Sequence, residues 1–252
     1  MYRYFLQLSY NGTAYHGWQM QENAITVQQV LNVKLSIILQ KEIHAIGAGR
    51  TDTGVHAEYF MVHFDVEKPI LDVQLFLDKI NKILPKDIAV FQLFSVHQEA
   101  NTRFDALSRT YEYRITSKKN SFLTDLLWYY RVSLNVDLMN QAAKTLFEYQ
   151  DFTSFSKTGT QVKTNNCKIY EAQWLEMDNH LLIFRIKADR FLRNMVRAIT
   201  GTLIDVGRGK LSIDDFRKII ESKNRSNAGF SVPARGLFLT NIKYPEDLLK
   251  LS

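Results

Sequence analysis

Two hydrophobic periods alternate along this chain, and that alternation limits the fold more than any other feature. Near the N-terminus Tyr2, Tyr4, Leu6, Leu8 and Tyr10 fall on one side of an extended segment, with Arg3, Gln7 and Ser9 on the other. Asn11-Gly12 then reads as a turn. Thr26 and Gln29 have capping-box spacing, and Val27, Val30, Leu31, Leu35 and Ile38 follow at helical intervals. A second helix is expected over 72–84, ending before Pro85, with strands at 88–96 and 108–116. Helices are expected near 137–149, 190–206 and 212–222, and a strand at 181–188. Helices laid on largely antiparallel strands make an α+β fold. The seam is expected at 102–110, giving an N-terminal half over 1–105 and a C-terminal half over 106–252.

Composition narrows the function classes. The 252 residues are 46% hydrophobic and 23% charged, which argues against disorder and coiled coil. The 32 basic residues against 26 acidic give +6, enough to permit an anionic partner without requiring one. A single cysteine, Cys167, excludes an intramolecular disulfide and reads as buried and structural. With neither a signal-peptide core nor a membrane-length apolar run, the expected location is cytoplasmic, with no membrane partner.

The densest candidate for chemistry is Gly47-Ala48-Gly49-Arg50-Thr51-Asp52-Thr53-Gly54-Val55-His56-Ala57. Three glycines let its backbone approach a ligand. Their spacing is not a dinucleotide fingerprint, and no Gly-Lys-Ser/Thr follows to make a P-loop. Read from spacing alone, Asp52 either caps a turn or serves catalysis. Tyr111 and Tyr113 share a strand face beside Arg109, which suits stacking on an unpaired base or an ordinary aromatic core. Read as a helix, the segment from Arg190 carries an apolar side and a stripe of Arg190, Arg193, Asn194, Arg197 and Gly201. Gly201 in that stripe hints at a close neighbour, since glycine weakens a helix by about 1 kcal/mol relative to alanine. The six histidines lack metal-ligand spacing, and Ser108 lacks a nucleophile elbow.

Together these segments resemble the tRNA pseudouridine synthase A (TruA) family. The resemblance runs nearly end to end: Tyr10-Asn11-Gly12-Thr13 with Gly17-Trp18-Gln19, then the Gly-Ala-Gly-Arg-Thr-Asp loop. Arg103-Phe104 with Arg109-Thr110-Tyr111 follows, then Phe191-Leu192-Arg193-Asn194-Met195-Val196-Arg197 with Gly201, and Pro233-Ala234-Arg235-Gly236-Leu237. Thr53 stands where an alanine is usual, and Asn101-Thr102 where His-Ala commonly precedes Arg-Phe.

The resemblance implies two RRM-like or ferredoxin-like halves joined into one mostly antiparallel mixed sheet flanked by helices, with the active-site cleft between them. It implies an isomerase converting uridine to pseudouridine at positions 38, 39 and 40 of the tRNA anticodon stem-loop, as a homodimer. Asp52 is the implied catalytic carboxylate, Arg197 its ion-pair partner and Tyr111 the phenol stacked on the uracil. Arg50 is implied to hold the flipped nucleotide, Arg109, Arg190 and Arg193 to contact RNA, and Leu237 to pack on the base. No cofactor, nucleotide or metal is expected, because the reaction needs no redox step and no external energy. The alternative is a non-catalytic RNA-binding protein of the same fold.

Overall fold

Alternation at the N-terminus produces strand β1 (Tyr2–Tyr10), with Tyr4, Leu6, Leu8 and Tyr10 buried and Phe5 covered on its other face. The computed structural model describes residues 1–157, 159, 163–178 and 180–249. β1 pairs antiparallel with β3 (His56–Val66) on one side and with β4 (Ile88–Val96) on the other. Two-residue β2 (Ile46–Gly47) pairs with β3. β3 shows no simple alternation because the five residues from Phe60 to Phe64 are all buried, so both of its faces are covered.

Helix α1 (Val27–Leu39) begins where Thr26 Oγ1 accepts from the Gln29 amide at 3.3 Å, and it ends at left-handed Gln40. Helix α2 (Val73–Ile83) is capped by Asp72, whose carboxylate accepts from the Leu75 amide at 2.9 Å. Leu84 is extended ahead of Pro85, which stops the helix.

Strand β5 (Ser108–Thr116) pairs antiparallel with β8 (Leu181–Ala188), which pairs antiparallel with β7 (Ile169–Met177). Short β6 (Trp128–Tyr129) lies parallel to β5. Helices α3 (Val136–Thr145), α4 (Met195–Gly207) and α5 (Ile213–Glu221) follow the order of the sequence pattern, and β9 (Leu237–Lys243) ends the series. A methyl group on Gly207 would lie 2.4 Å from Met139 Sδ, so α4 and α3 meet at van der Waals distance there. Among the described residues the fold is α+β, with nine mostly antiparallel strands and five α-helices.

One expected element needs correction. The helix predicted from Arg190 starts at Met195. Asn194 adopts φ +68°, a left-handed conformation that breaks the helical run, and Asp189 Oδ1 accepts from the Arg190 and Lys168 amides at 2.7 Å each. Arg190 and Arg193 therefore lie on a turn before α4, and the predicted stripe keeps only Arg197 and Gly201 on the helix.

The chain divides into two compact units, Met1–Leu107 with Leu239–Ser252, and Ser108–Phe238. Two bonds hold the returning C-terminal segment within the first unit. The Leu107 amide donates to Lys243 O at 2.7 Å, and the Tyr244 phenol donates to Thr102 O at 2.6 Å. Among the described residues no helix is long and apolar enough to cross a membrane.

Candidate active site

In the first unit the glycine loop is fastened on both sides of Asp52. Ala48 donates its amide to Met61 O at 2.9 Å, prolonging the β2–β3 pairing into the loop. The Thr51 hydroxyl lies 2.9 Å from the Tyr10 phenol oxygen, both out of solvent, and Thr51 O accepts from the Trp18 amide at 3.4 Å. Beyond Asp52, the Val55 amide closes a turn onto Asp52 O at 3.1 Å. Gly54, at φ +76°, donates to Tyr15 O at 3.2 Å. Buried His56 accepts the Gly12 amide on Nδ1 at 3.0 Å.

These contacts give the opening motif its physical role. A Cβ on Gly12 would stand 2.0 Å from Val55 O, and one on Gly17, itself at φ +84°, would stand 2.2 Å from Thr51 O. Only glycine lets the two backbones approach so closely. Trp18 packs on Phe60 with ring centroids 4.5 Å apart and fills the space over Gly47. The loop thus rests on an aromatic floor of Tyr10, Trp18 and Phe60. Asp52 is half-buried, while Arg50 and Thr53 are exposed.

In the second unit the structure brings Arg109, Tyr111 and the turn after β8 together. Arg109 Nη1 donates to Asp189 O at 2.8 Å, next to Arg190. The Tyr111 ring meets Phe191 edge-on, with centroids 5.1 Å apart at 88°. Tyr111 is half-buried, whereas Tyr113 is completely buried and donates its phenol to Pro233 O at 2.8 Å. Burial drives the Tyr113 phenol well above its usual pKa, opposed by the Arg197 and Arg235 guanidiniums. Of the two tyrosines, Tyr113 belongs to the packing of the unit.

Arg197 sits in the first turn of α4, where a crossing segment orients it. Its Nε donates to Val232 O at 2.7 Å, while the Val232 amide donates back to Arg197 O at 3.3 Å. That segment crosses α4 at Gly201, where a Cβ would lie 1.9 Å from Phe230 O. The Gly229 amide adds a bond to Thr202 Oγ1 at 3.0 Å. The close neighbour expected at Gly201 is therefore the backbone of residues 229–232. Asn194 Nδ2 and Arg225 Nη2 both donate to Ser231 Oγ, at 2.7 and 2.8 Å, fixing the same crossing. Arg193 is exposed, and Leu237 is buried at the start of β9.

Sequence reasoning assigned no role to His56, Phe191, Ser231 or Val232. Only the glycines and the Asn-Gly turn signalled that the opening segment approaches another backbone. Among the described residues no three His, Cys, Asp or Glu side chains gather as metal ligands would. Cys167 is buried, and desolvation pushes its thiol up to about 12.

A family model described as tRNA pseudouridine synthase matches residues 8–105 and 142–245. Those spans hold Arg50, Asp52, Arg190, Arg193, Arg197 and Leu237, whereas Arg109 and Tyr111 fall between them. The proteins named tRNA pseudouridine synthase A from Bacteroides fragilis and Parabacteroides distasonis are each 52% identical over 248 residues, covering 98% of this chain and 98% of theirs. The protein of the same name from Clostridium acetobutylicum is 40% identical over 241 residues, 95% of this chain and 98% of its own length. A fold, a pinned aspartate loop and relatives alike from end to end lead to one assignment: this chain belongs to the tRNA pseudouridine synthase A family.

Proposed function

We propose that this protein isomerises uridine to pseudouridine at positions 38, 39 and 40 of the tRNA anticodon stem-loop, with Asp52 as its catalytic carboxylate. Membership of the family makes it an isomerase acting on tRNA. The observation that carries the finer reading is the fastening of Asp52. Thr51 before it and Gly54, Val55 and His56 after it are all held by hydrogen bonds, so the carboxylate is carried on an immobilised backbone.

The chemistry asks for little else. The bond from uracil N1 to ribose C1′ breaks, the base turns, and a bond from C5 to C1′ forms. C5 loses a proton and N1 gains one, so atoms balance without an oxidant, a metal or a nucleotide. In this reading the target base leaves its stack, and Arg50 holds the flipped nucleotide. Tyr111 lies on the uracil and takes part in the proton loss at C5 through its phenol. Leu237 covers the other face of the base. Arg197 supplies the cation that keeps a carboxylate ionised where water is excluded. Arg109, Arg190 and Arg193 contact RNA phosphates. The protein is read as a homodimer, as the family resemblance implies, and as cytoplasmic by default.

The test uses unmodified tRNA tritiated at uracil C5, without nucleotide and in excess EDTA. Wild type is expected to release tritium, and Asp52→Asn to release none while binding tRNA within a few-fold of wild type. Strong residual release from Asp52→Asn would remove the aspartate from its role. A gel shift without release from either protein would leave only an RNA-binding protein.

A further inference from the structure

Away from the residues already assigned, the second unit contains a cavity of about 360 Å³ whose lining is basic. Lys157, Lys163, Lys223 and Arg225 contribute to it, with Thr153 and Asn165 among the remaining polar residues, and among the described residues no Asp or Glu lines it. Four cations around one small space repel one another, a cost that an anion inside would reverse. Lys223 Nζ lies 3.0 Å from Asp151, which partly compensates its charge from outside. Arg225 is held in place by Ala228 O, Gly229 O and Ser231 Oγ.

Asn165 adds a second requirement. Its Nδ2 donates to Thr153 Oγ1 at 2.8 Å, while its Oδ1 is buried without a hydrogen-bond partner among the described residues. An acceptor left in that state calls for a donor. A phosphodiester offers none, but the neighbouring ribose hydroxyl does.

We propose that this cavity binds a ribose-phosphate unit of the substrate RNA, outside the nucleotide that reacts. The inference rests on the tRNA reading above and adds a contact to it. Its position favours such a contact. The Lys157 amide donates to Arg193 O at 3.0 Å, and Arg225 shares Ser231 Oγ with Asn194. The cavity thereby adjoins the Arg193–Asn194 turn and the segment that orients Arg197, so a strand passing Arg193 can enter it.

The experiment measures tRNA affinity against salt for wild type, Lys157→Ala/Lys163→Ala and Lys163→Glu, alongside tritium release. The backbone bond of Lys157 survives its truncation. Expected is a several-fold weaker affinity for both variants, with turnover at saturating tRNA unchanged. The slope of log affinity against log salt should fall by about 2 in the double variant. Wild-type affinity and slope in both variants, with normal tritium release, would overturn the cavity assignment and leave the proposed function intact. No release from wild-type protein would instead count against the function, whatever the binding curves show. Ribose 5-phosphate is expected to displace tRNA better than inorganic phosphate does, and to do so less well from the variants. Inorganic phosphate that raises the melting temperature of wild type alone, without displacing tRNA, would make this a free-phosphate site and overturn the RNA assignment.

Discussion

The phenol oxygen of Tyr10 and the hydroxyl of Thr51 lie 2.9 Å apart in a buried contact that joins the first strand of the chain to the residue preceding Asp52. Tyr10→Phe removes one partner and leaves the other without solvent. A loss of about 1 kcal/mol in stability is expected. Turnover should fall more than tRNA affinity, because Thr51 is released beside the carboxylate. Denaturant melts and single-turnover tritium release measure the two effects. An unchanged single-turnover rate would show that Thr51 does not need this anchor.

The glycines around the loop should divide sharply when changed to alanine. Gly12→Ala drives a methyl group to 2.0 Å from Val55 O, and a destabilisation of about 1–3 kcal/mol is expected, with activity lost. Gly49, inside the motif itself, has nothing within 4 Å of an added Cβ. Gly49→Ala should change stability by no more than about 0.5 kcal/mol. Equal losses in the two variants would show that the close approach at Gly12 is relieved elsewhere.

Gly201→Ala tests whether the crossing segment matters to Arg197. The added methyl meets Phe230 O at 1.9 Å and must displace residues 230–232, including the carbonyl that accepts from Arg197 Nε. A stability loss of about 1–3 kcal/mol is expected, together with a drop in kcat that persists when the protein is fully folded. Recovery of wild-type kcat at low temperature would confine Gly201 to packing.

Two tyrosines two residues apart should fail in different assays. Tyr111→Phe is expected to keep its fold and bind tRNA but turn over poorly, since the ring remains on Phe191 and the phenol is gone. Tyr113→Phe should lower stability by about 1 kcal/mol, because Pro233 O loses its donor. If Tyr113→Phe melted like wild type, its bond to Pro233 would contribute nothing net.

His63 should set part of the acid limb of stability. It is buried in β3, with Nδ1 2.9 Å from Thr102 Oγ1 and the Thr102 amide 3.3 Å from the same nitrogen. Desolvation, helped by the Arg3 charge, lowers its pKa from 6.5 to about 4. Between those two values the unfolded chain binds a proton that the folded chain does not. The contribution is therefore complete above pH 6.5 and declines as pH falls toward 4, with a limiting slope of about 1.4 kcal/mol per pH unit. His63→Asn keeps an acceptor near Thr102 and should flatten the stability curve over that window. A parallel curve would assign the acid limb to other groups, such as Asp65 beside Arg3, whose carboxyl the guanidinium holds below its usual range.

Local rules made much of this protein legible from its residues. Alternation marked β1, β4, β5 and β8, and the Thr26 cap and Pro85 marked helix ends, because these signals act within a few residues of chain. The start of α4 was misread because apolar spacing continues back through Leu192, whereas the break depends on left-handed Asn194 and on the bonds of Asp189 to the Arg190 and Lys168 amides. β3 escaped the alternation test because burial on both faces removes it. The Asp52 loop was conspicuous as a motif, and the Arg109–Tyr111 strand was placed correctly. Its fastening was invisible: the bonds from Thr51 to Tyr10 and from His56 to Gly12 span more than forty residues, and no periodicity encodes such a partner. The return of Leu239 and the residues after it to the first unit is of the same kind. Sequence by itself determined which segments extend, which coil, and which motif stands out for chemistry. Only the tertiary structure decided which distant backbone each glycine must admit, because close approach belongs to pairs of segments and not to either segment alone.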